Sequence, residues 1–172
     1  MRYTIKHKKS RKSIENPGIV SDTAIKEIIG NAQIFLADDT NYHNLNIEFV
    51  FQYTRRTRTN NYDGLCITYR YHKKLTHRIT VWVCEYWQWV DKKLVWNMAT
   101  DYPVESILWI LGHELGNIYT PTNNFREYKR KGMYYNIIEN AANEFSNLIS
   151  PITETQHLIL MEKLRESRGY NK

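Results

Sequence analysis

Between Pro103 and Pro121 the chain runs VESILWILGHELGNIYT, and this stretch limits the possible folds more than any other. Val104, Ile107, Leu108, Leu111, Leu115 and Ile118 recur at helical steps, which predicts a helix that buries one continuous stripe. Proline suits the first helical position, so the helix is expected to begin near Asp101-Tyr102-Pro103 and to end at Thr120-Pro121. His113, Glu114 and Asn117 fall on a neighbouring face. A fold that buries the stripe must therefore bring three polar side chains to the border of its core.

The flanking segments supply the rest of that core. Ser21 or Asp22 caps a helix over roughly 22–37, whose Ala24, Ile25, Ile28, Ile29, Ala32, Phe35 and Leu36 make one buried face. Asn46 to Tyr53 alternates, with Ile47, Phe49 and Phe51 on one side, as a half-buried strand does. Gly64–Tyr71 and Arg78–Val83 are further β-branched and aromatic runs, and Trp82, Trp87, Trp89 and Trp96 continue into a hairpin turning near Asp91-Lys92-Lys93. Two helices, over roughly 134–149 and 152–167, are separated by Pro151. The order predicts an α+β domain over 21–172, with a small, mainly antiparallel sheet packed on the motif helix and a second helix. Residues 1–20, rich in lysine and arginine, read as a solvated basic arm with a turn at Asn16-Pro17-Gly18.

At 172 residues the chain can bury a core without cross-links. Cys66 and Cys84 lie in apolar alternating runs and read as reduced, half-buried core residues. No apolar run approaches the roughly 18 residues that span a bilayer, and no apolar segment follows the basic start, so no membrane partner and a cytoplasmic location are expected. The net charge of +6 permits a nucleic-acid or acidic partner. Its basic stretches, the N-terminal arm, Arg55-Arg56-Thr57-Arg58 and the loop Arg126–Lys131, are scattered, which predicts a diffuse field and weak, salt-sensitive binding. The tryptophans read as core and sheet cover in preference to a base-stacking platform.

The segment His113-Glu114-Leu115-Gly116-Asn117 is one residue short of H-E-x-x-H. In that motif two histidines one helical turn apart reach one zinc ion, and the glutamate serves as base to a metal-bound water. His113 is thus a ligand candidate and Glu114 a general-base candidate. Glu139 is the third-ligand candidate, because it borders the apolar face formed by Ile138, Ala141, Ala142, Phe145, Leu148 and Ile149. Asn117 stands at the second histidine position, and a neutral amide oxygen is a poor zinc donor. His72, His77 and His157 are alternative sources of an imidazole.

Leu111-Gly112-His113-Glu114-Leu115-Gly116, followed by Glu139, Ala142, Asn143, Phe145, Leu148 and Pro151, resembles the ImmA/IrrE-type zinc metallopeptidases. The resemblance covers residues 20–155 in layout and two short segments in identity. It implies a zincin-like fold, zinc held by His113, Glu139 and the position of Asn117, and cleavage of a repressor-type regulatory protein of a phage, mobile element or stress response. Substrate is expected along an edge strand, for which Arg78–Val83 is the candidate. Asn117 departs from the family pattern and leaves two readings open, a working metallopeptidase and a catalytically inactive pseudopeptidase that binds a protein partner. A nucleic-acid-binding protein is the third.

Overall fold

The computed structural model describes residues 1–9, 20–38, 44–53, 64–71, 74–82, 85–90, 93–98, 103–119 and 134–167. Strand β1 (Arg2–Lys9) leads to helix α1 (Asp22–Phe35), then β2 (Asn46–Tyr53), β3 (Gly64–Tyr71), β4 (Lys74–Trp82), β5 (Glu85–Val90) and β6 (Lys93–Met98). Three helices close the order: α2 (Val104–Tyr119), α3 (Tyr134–Ile149) and α4 (Glu154–Ser167). The mixed α+β class expected from the sequence is present.

Helix α1 starts where its cap is placed, with the Ala24 N–H donating to Ser21 Oγ at 3.1 Å. Its Ile25, Ile28, Ile29 and Ala32 are buried at the predicted spacing. Pro103 precedes the first turn of α2, and its carbonyl accepts from the N–H groups of Ser106 and Ile107.

The four-stranded sheet has the order β1-β2-β4-β3. β1 pairs parallel with β2, β2 pairs parallel with β4, and β3 pairs antiparallel with β4. The expectation of a mainly antiparallel sheet is therefore overturned: two of its three pairings are parallel. Alternation along a strand sets which face is buried but carries no information on the direction of its neighbour. The direction follows from α1, since a helical crossover between β1 and β2 returns the chain in the same sense.

The basic arm is also reassigned in part. Arg2–Lys9 is an edge strand, held by its ladder to β2 and by Ile5 packed against the core. Charge on its outward positions had hidden its alternation. Residues 10–19, including the Asn16-Pro17-Gly18 turn, lie outside the described residues.

β4 is interior, between β2 and β3, so Arg78–Val83 is not an edge strand. Thr80, Val81 and Trp82 are all buried, as suits a strand covered on both faces. Among the described residues, the edge strand on this side is β3. The expected hairpin is formed by β5 and β6, with Val90 paired to Lys93; the side chains of Trp87, Trp89 and Trp96 lie outside the described set, whereas Trp82 is a core residue.

Helix α2 occupies the centre of the fold, against the sheet, α1, α3 and α4. Ser106 to Gly112 and Glu114 to Gly116 are buried, so the helix is enclosed on nearly every side and not along one stripe only. The core joins Phe49, Phe51, Ile79 and Val81 of the sheet to Ile107, Leu111 and Leu115 of α2. Among the described residues, no helix is long and apolar enough to cross a membrane.

Candidate active site on the central helix

Two glycines let α2 approach α3. A Cβ at Gly116 would lie 2.7 Å from the Ala142 Cα, and one at Gly112 would lie 2.5 Å from Ser150 Oγ and 2.7 Å from Ser146 Oγ. The serines satisfy the backbone at the same contact, Ser146 Oγ donating to the Trp109 carbonyl at 2.6 Å and Ser150 Oγ to the Leu108 carbonyl at 3.3 Å. Helix–helix distance is set at Gly116 by the Ala142 backbone and at Gly112 by two serine hydroxyls that hydrogen bonds hold in place.

This approach brings one face of α3 to one face of α2. Glu139, Asn143 and Asn147 are spaced four apart and lie in one row along α3. Opposite them on α2 stand His113 and, one turn earlier, Trp109. Trp109 Nε1 donates to Asn147 Oδ1 at 3.1 Å, and the same oxygen accepts the Glu154 N–H at 2.7 Å, capping α4. One turn on, Asn143 Oδ1 lies 2.7 Å from His113 Nδ1, and Asn143 Nδ2 donates to Glu154 Oε1 at 2.7 Å. Glu139 Oε2 lies 3.3 Å from His113 Nε2.

These contacts orient the imidazole. A carboxylate accepts, so Glu154 draws the amide nitrogen of Asn143 and leaves its carbonyl oxygen facing His113. That oxygen requires a donor, which places a proton on His113 Nδ1. Nε2 is then the ring nitrogen that faces the Glu139 carboxylate oxygen, 3.3 Å away. Two acceptors at this separation need a cation between them, either a proton or a metal ion.

Glu114 sits on the sheet side of the same turn. Its Oε1 lies against Gly64, where a Cβ would meet it at 2.5 Å, and the backbone N–H of Cys66 donates to its carboxylate. Burial pushes the Glu114 carboxyl up from its ordinary value; the charge of Glu139 adds to this, while His113, Asn117 and the Cys66 N–H oppose it. The shift is in the direction a general base requires. Burial, followed by the nearby Glu114 charge, pushes the half-buried Cys66 thiol up to about 12. Cys66 is free, as expected; Cys84 lies outside the described residues.

Asn117 turns its amide nitrogen toward Glu114, 3.4 Å from Oε2. Its position one turn from His113 agrees with the motif, and its chemistry does not. His113 and Glu139 fit two ligands of one ion, because their 3.3 Å separation is close to the spacing of adjacent donors around a tetrahedral zinc, roughly 3.4 Å for bonds of about 2.1 Å. Among the described residues, no group of three or more His, Cys, Asp and Glu side chains is placed to hold a metal ion.

Neither His77 nor His157 completes the set. His77 is buried in β4, with Nδ1 2.8 Å from Thr68 Oγ1, and burial holds its imidazole below its ordinary pKa. His157 stacks flat on Trp109 with ring centroids 4.4 Å apart. His72 lies outside the described residues, as do Arg55, Arg56, Arg58 and the basic loop 126–131.

Asn143, Asn147 and Glu154 received no chemical role from sequence reasoning. The four-residue spacing from Glu139 was the available signal for the two asparagines, whereas Glu154 reaches the site only through the turn between α3 and α4. In comparison with known proteins, no family model, curated protein or solved structure matches the chain.

Proposed function

We propose that the chain is a metallopeptidase-like protein of the ImmA/IrrE type, with a zincin-like arrangement, acting in the cytoplasm on a regulatory, repressor-type protein. The observation that carries this reading is the approach of His113 Nε2 to Glu139 Oε2 at 3.3 Å, with the imidazole oriented by Asn143 and Asn143 in turn by Glu154. His113 and Glu139 would hold zinc, with Asn117 the weak third position. Bound zinc supplies a water acidified to a pKa of about 7.

The remaining roles belong to the chain itself. Asn143 keeps the proton on Nδ1 of His113 and so keeps Nε2 available. Glu114, raised by burial, takes a proton from the attacking water and passes it to the leaving amine. β3 runs past Glu114 at the sheet edge and would hold substrate as an added strand, the place earlier assigned to Arg78–Val83.

A second reading, a pseudopeptidase that binds a protein partner through the same groove, is favoured by the Asn117 amide nitrogen aimed at Glu114. The test is metal analysis of the purified chain, followed by incubation with a repressor-type protein. The peptidase reading expects stoichiometric zinc, and Glu114→Gln should abolish cleavage while retaining the metal. Protein that purifies without metal and takes up no added zinc would refute it and leave the pseudopeptidase.

A further inference from the structure

The sheet face turned away from the helices buries Val50, Thr80 and Trp82 at one end of β2 and β4, and elsewhere it is strongly cationic. Alternation in β1 puts Arg2, Thr4, Lys6 and Lys8 on that face, and the ladder places Glu48 of β2 beside Thr4 and Arg78 of β4 beside Glu48. Lys74 and Thr76 extend the same row of β4. Among the described residues the face thus carries Arg2, Lys6, Lys8, Lys74 and Arg78 against one carboxylate, Glu48.

Glu48 is buried and organises its surroundings. It accepts from Lys6, from Arg78 and, at 3.4 Å, from the Tyr69 hydroxyl, and the Arg78 guanidinium lies 5.3 Å from the Tyr69 ring centre. Among the described residues no carboxylate pairs with Arg2, Lys8 or Lys74. Next to the cluster is a cavity of about 290 Å³ lined by Arg2, Thr4, Asn46, Glu48, Tyr69 and Thr76. The scattered basic residues of the sequence are therefore gathered, in part, on one plane, with the Tyr69 ring on its β3 edge.

The geometry points to this outer sheet face as a binding surface for single-stranded nucleic acid, with the phosphates on its cations and a base in the cavity beside Tyr69. Neighbouring cations along a strand stand about 6.7 Å apart and neighbouring strands about 4.8 Å apart. Such a plane tracks a flexible phosphate chain, and an aromatic beside a basic groove accepts any base by stacking. An acidic protein is the competing polyanion; the cavity beside an aromatic ring favours the nucleic acid.

The test is fluorescence anisotropy of the full chain with a labelled 20-nucleotide single strand of mixed sequence. With a net face charge of four, log K should fall with log salt at a slope of about −2.8, a loss of about 50-fold between 50 and 200 mM. Substituting Arg2, Lys8 and Lys74 together with alanine should flatten the slope by about 2. The control Lys26→Ala/Lys163→Ala, on α1 and α4, should change the slope by less than half as much. Absence of binding at 50 mM salt, an equal per-charge loss in the control, or binding of duplex DNA or polyglutamate as tight as that of the single strand would overturn the assignment.

Discussion

Replacing Gly116 by alanine and, separately, Gly30 by alanine should move stability in opposite directions. Both glycines are helical, and alanine is favoured over glycine in a helix by about 1 kcal/mol. A Cβ at Gly30 meets nothing within 4 Å, so Gly30→Ala should realise most of that gain, about 0.5–1 kcal/mol. At Gly116 the Cβ would lie 2.7 Å from Ala142 Cα and 3.0 Å from Ala142 O, whereas ordinary contact begins at 3.4 Å. The obstruction is backbone, so α2 and α3 must part by about 0.7 Å. Overpacking of this kind costs about 3 kcal/mol at its upper end, which leaves a net loss of about 2 kcal/mol after the helical gain. With a urea dependence of about 2 kcal/mol per molar, the midpoint falls by about 1 M for Gly116→Ala and rises by about 0.4 M for Gly30→Ala. The same displacement would stretch the 2.7 Å contact between His113 and Asn143 toward the limit of a hydrogen bond. Equal or greater stability of Gly116→Ala relative to the parent chain would refute this account of the helix contact that builds the site.

Three further outcomes follow from particular side chains. Asn117→His restores an imidazole one turn from His113 and should tighten zinc binding, by competition with a chelating dye, beyond the roughly 10–100-fold that outer partners contribute; unchanged affinity would separate Asn117 from the His113–Glu139 pair. Burial opposes ionisation of Glu48, but its hydrogen bonds from Lys6 and Arg78 outweigh this and lower its pKa. Its contribution is therefore present above the unfolded pKa and lost as pH falls through the folded one. Glu48→Gln should cost about 1 kcal/mol at pH 7, discounted for the exposed cations, and the gap to the parent should close in acid; an equal gap at pH 3 and pH 7 would contradict the ion pairing. Cys66, with its thiol raised to about 12, should resist alkylation at pH 8 in the folded chain and react on unfolding, as read by peptide mass; labelling within minutes in the native state would disprove its enclosure.

Local pattern was sufficient for much of the architecture. The helical spacing of Ile25, Ile28, Ile29 and Ala32, the proline before Val104, and the alternation of Ile47, Phe49 and Phe51 all correspond to elements of the structure, because each depends on neighbours within a turn or a strand. His113 and Glu114 were legible for the same reason, as adjacent residues on one helix. β1 was not, since its outward lysines matched those of a solvated arm and its partner β2 lies beyond α1.

Sequence alone determined which residues could do chemistry and on which helices they would sit. Only the tertiary structure decided what they meet. The parallel pairing of β1 and β2, the interior place of β4 and the edge place of β3 beside Glu114 all depend on strand order, which no local period encodes. The pairing of His113 with Glu139 depends on the absence of side chains at Gly112 and Gly116, which allows α3 close enough for Asn143 to orient the ring. Glu114, read as a polar residue bordering a stripe, is a buried carboxyl because α2 is enclosed by the sheet as well as by the helices, and it is that enclosure which raises its pKa.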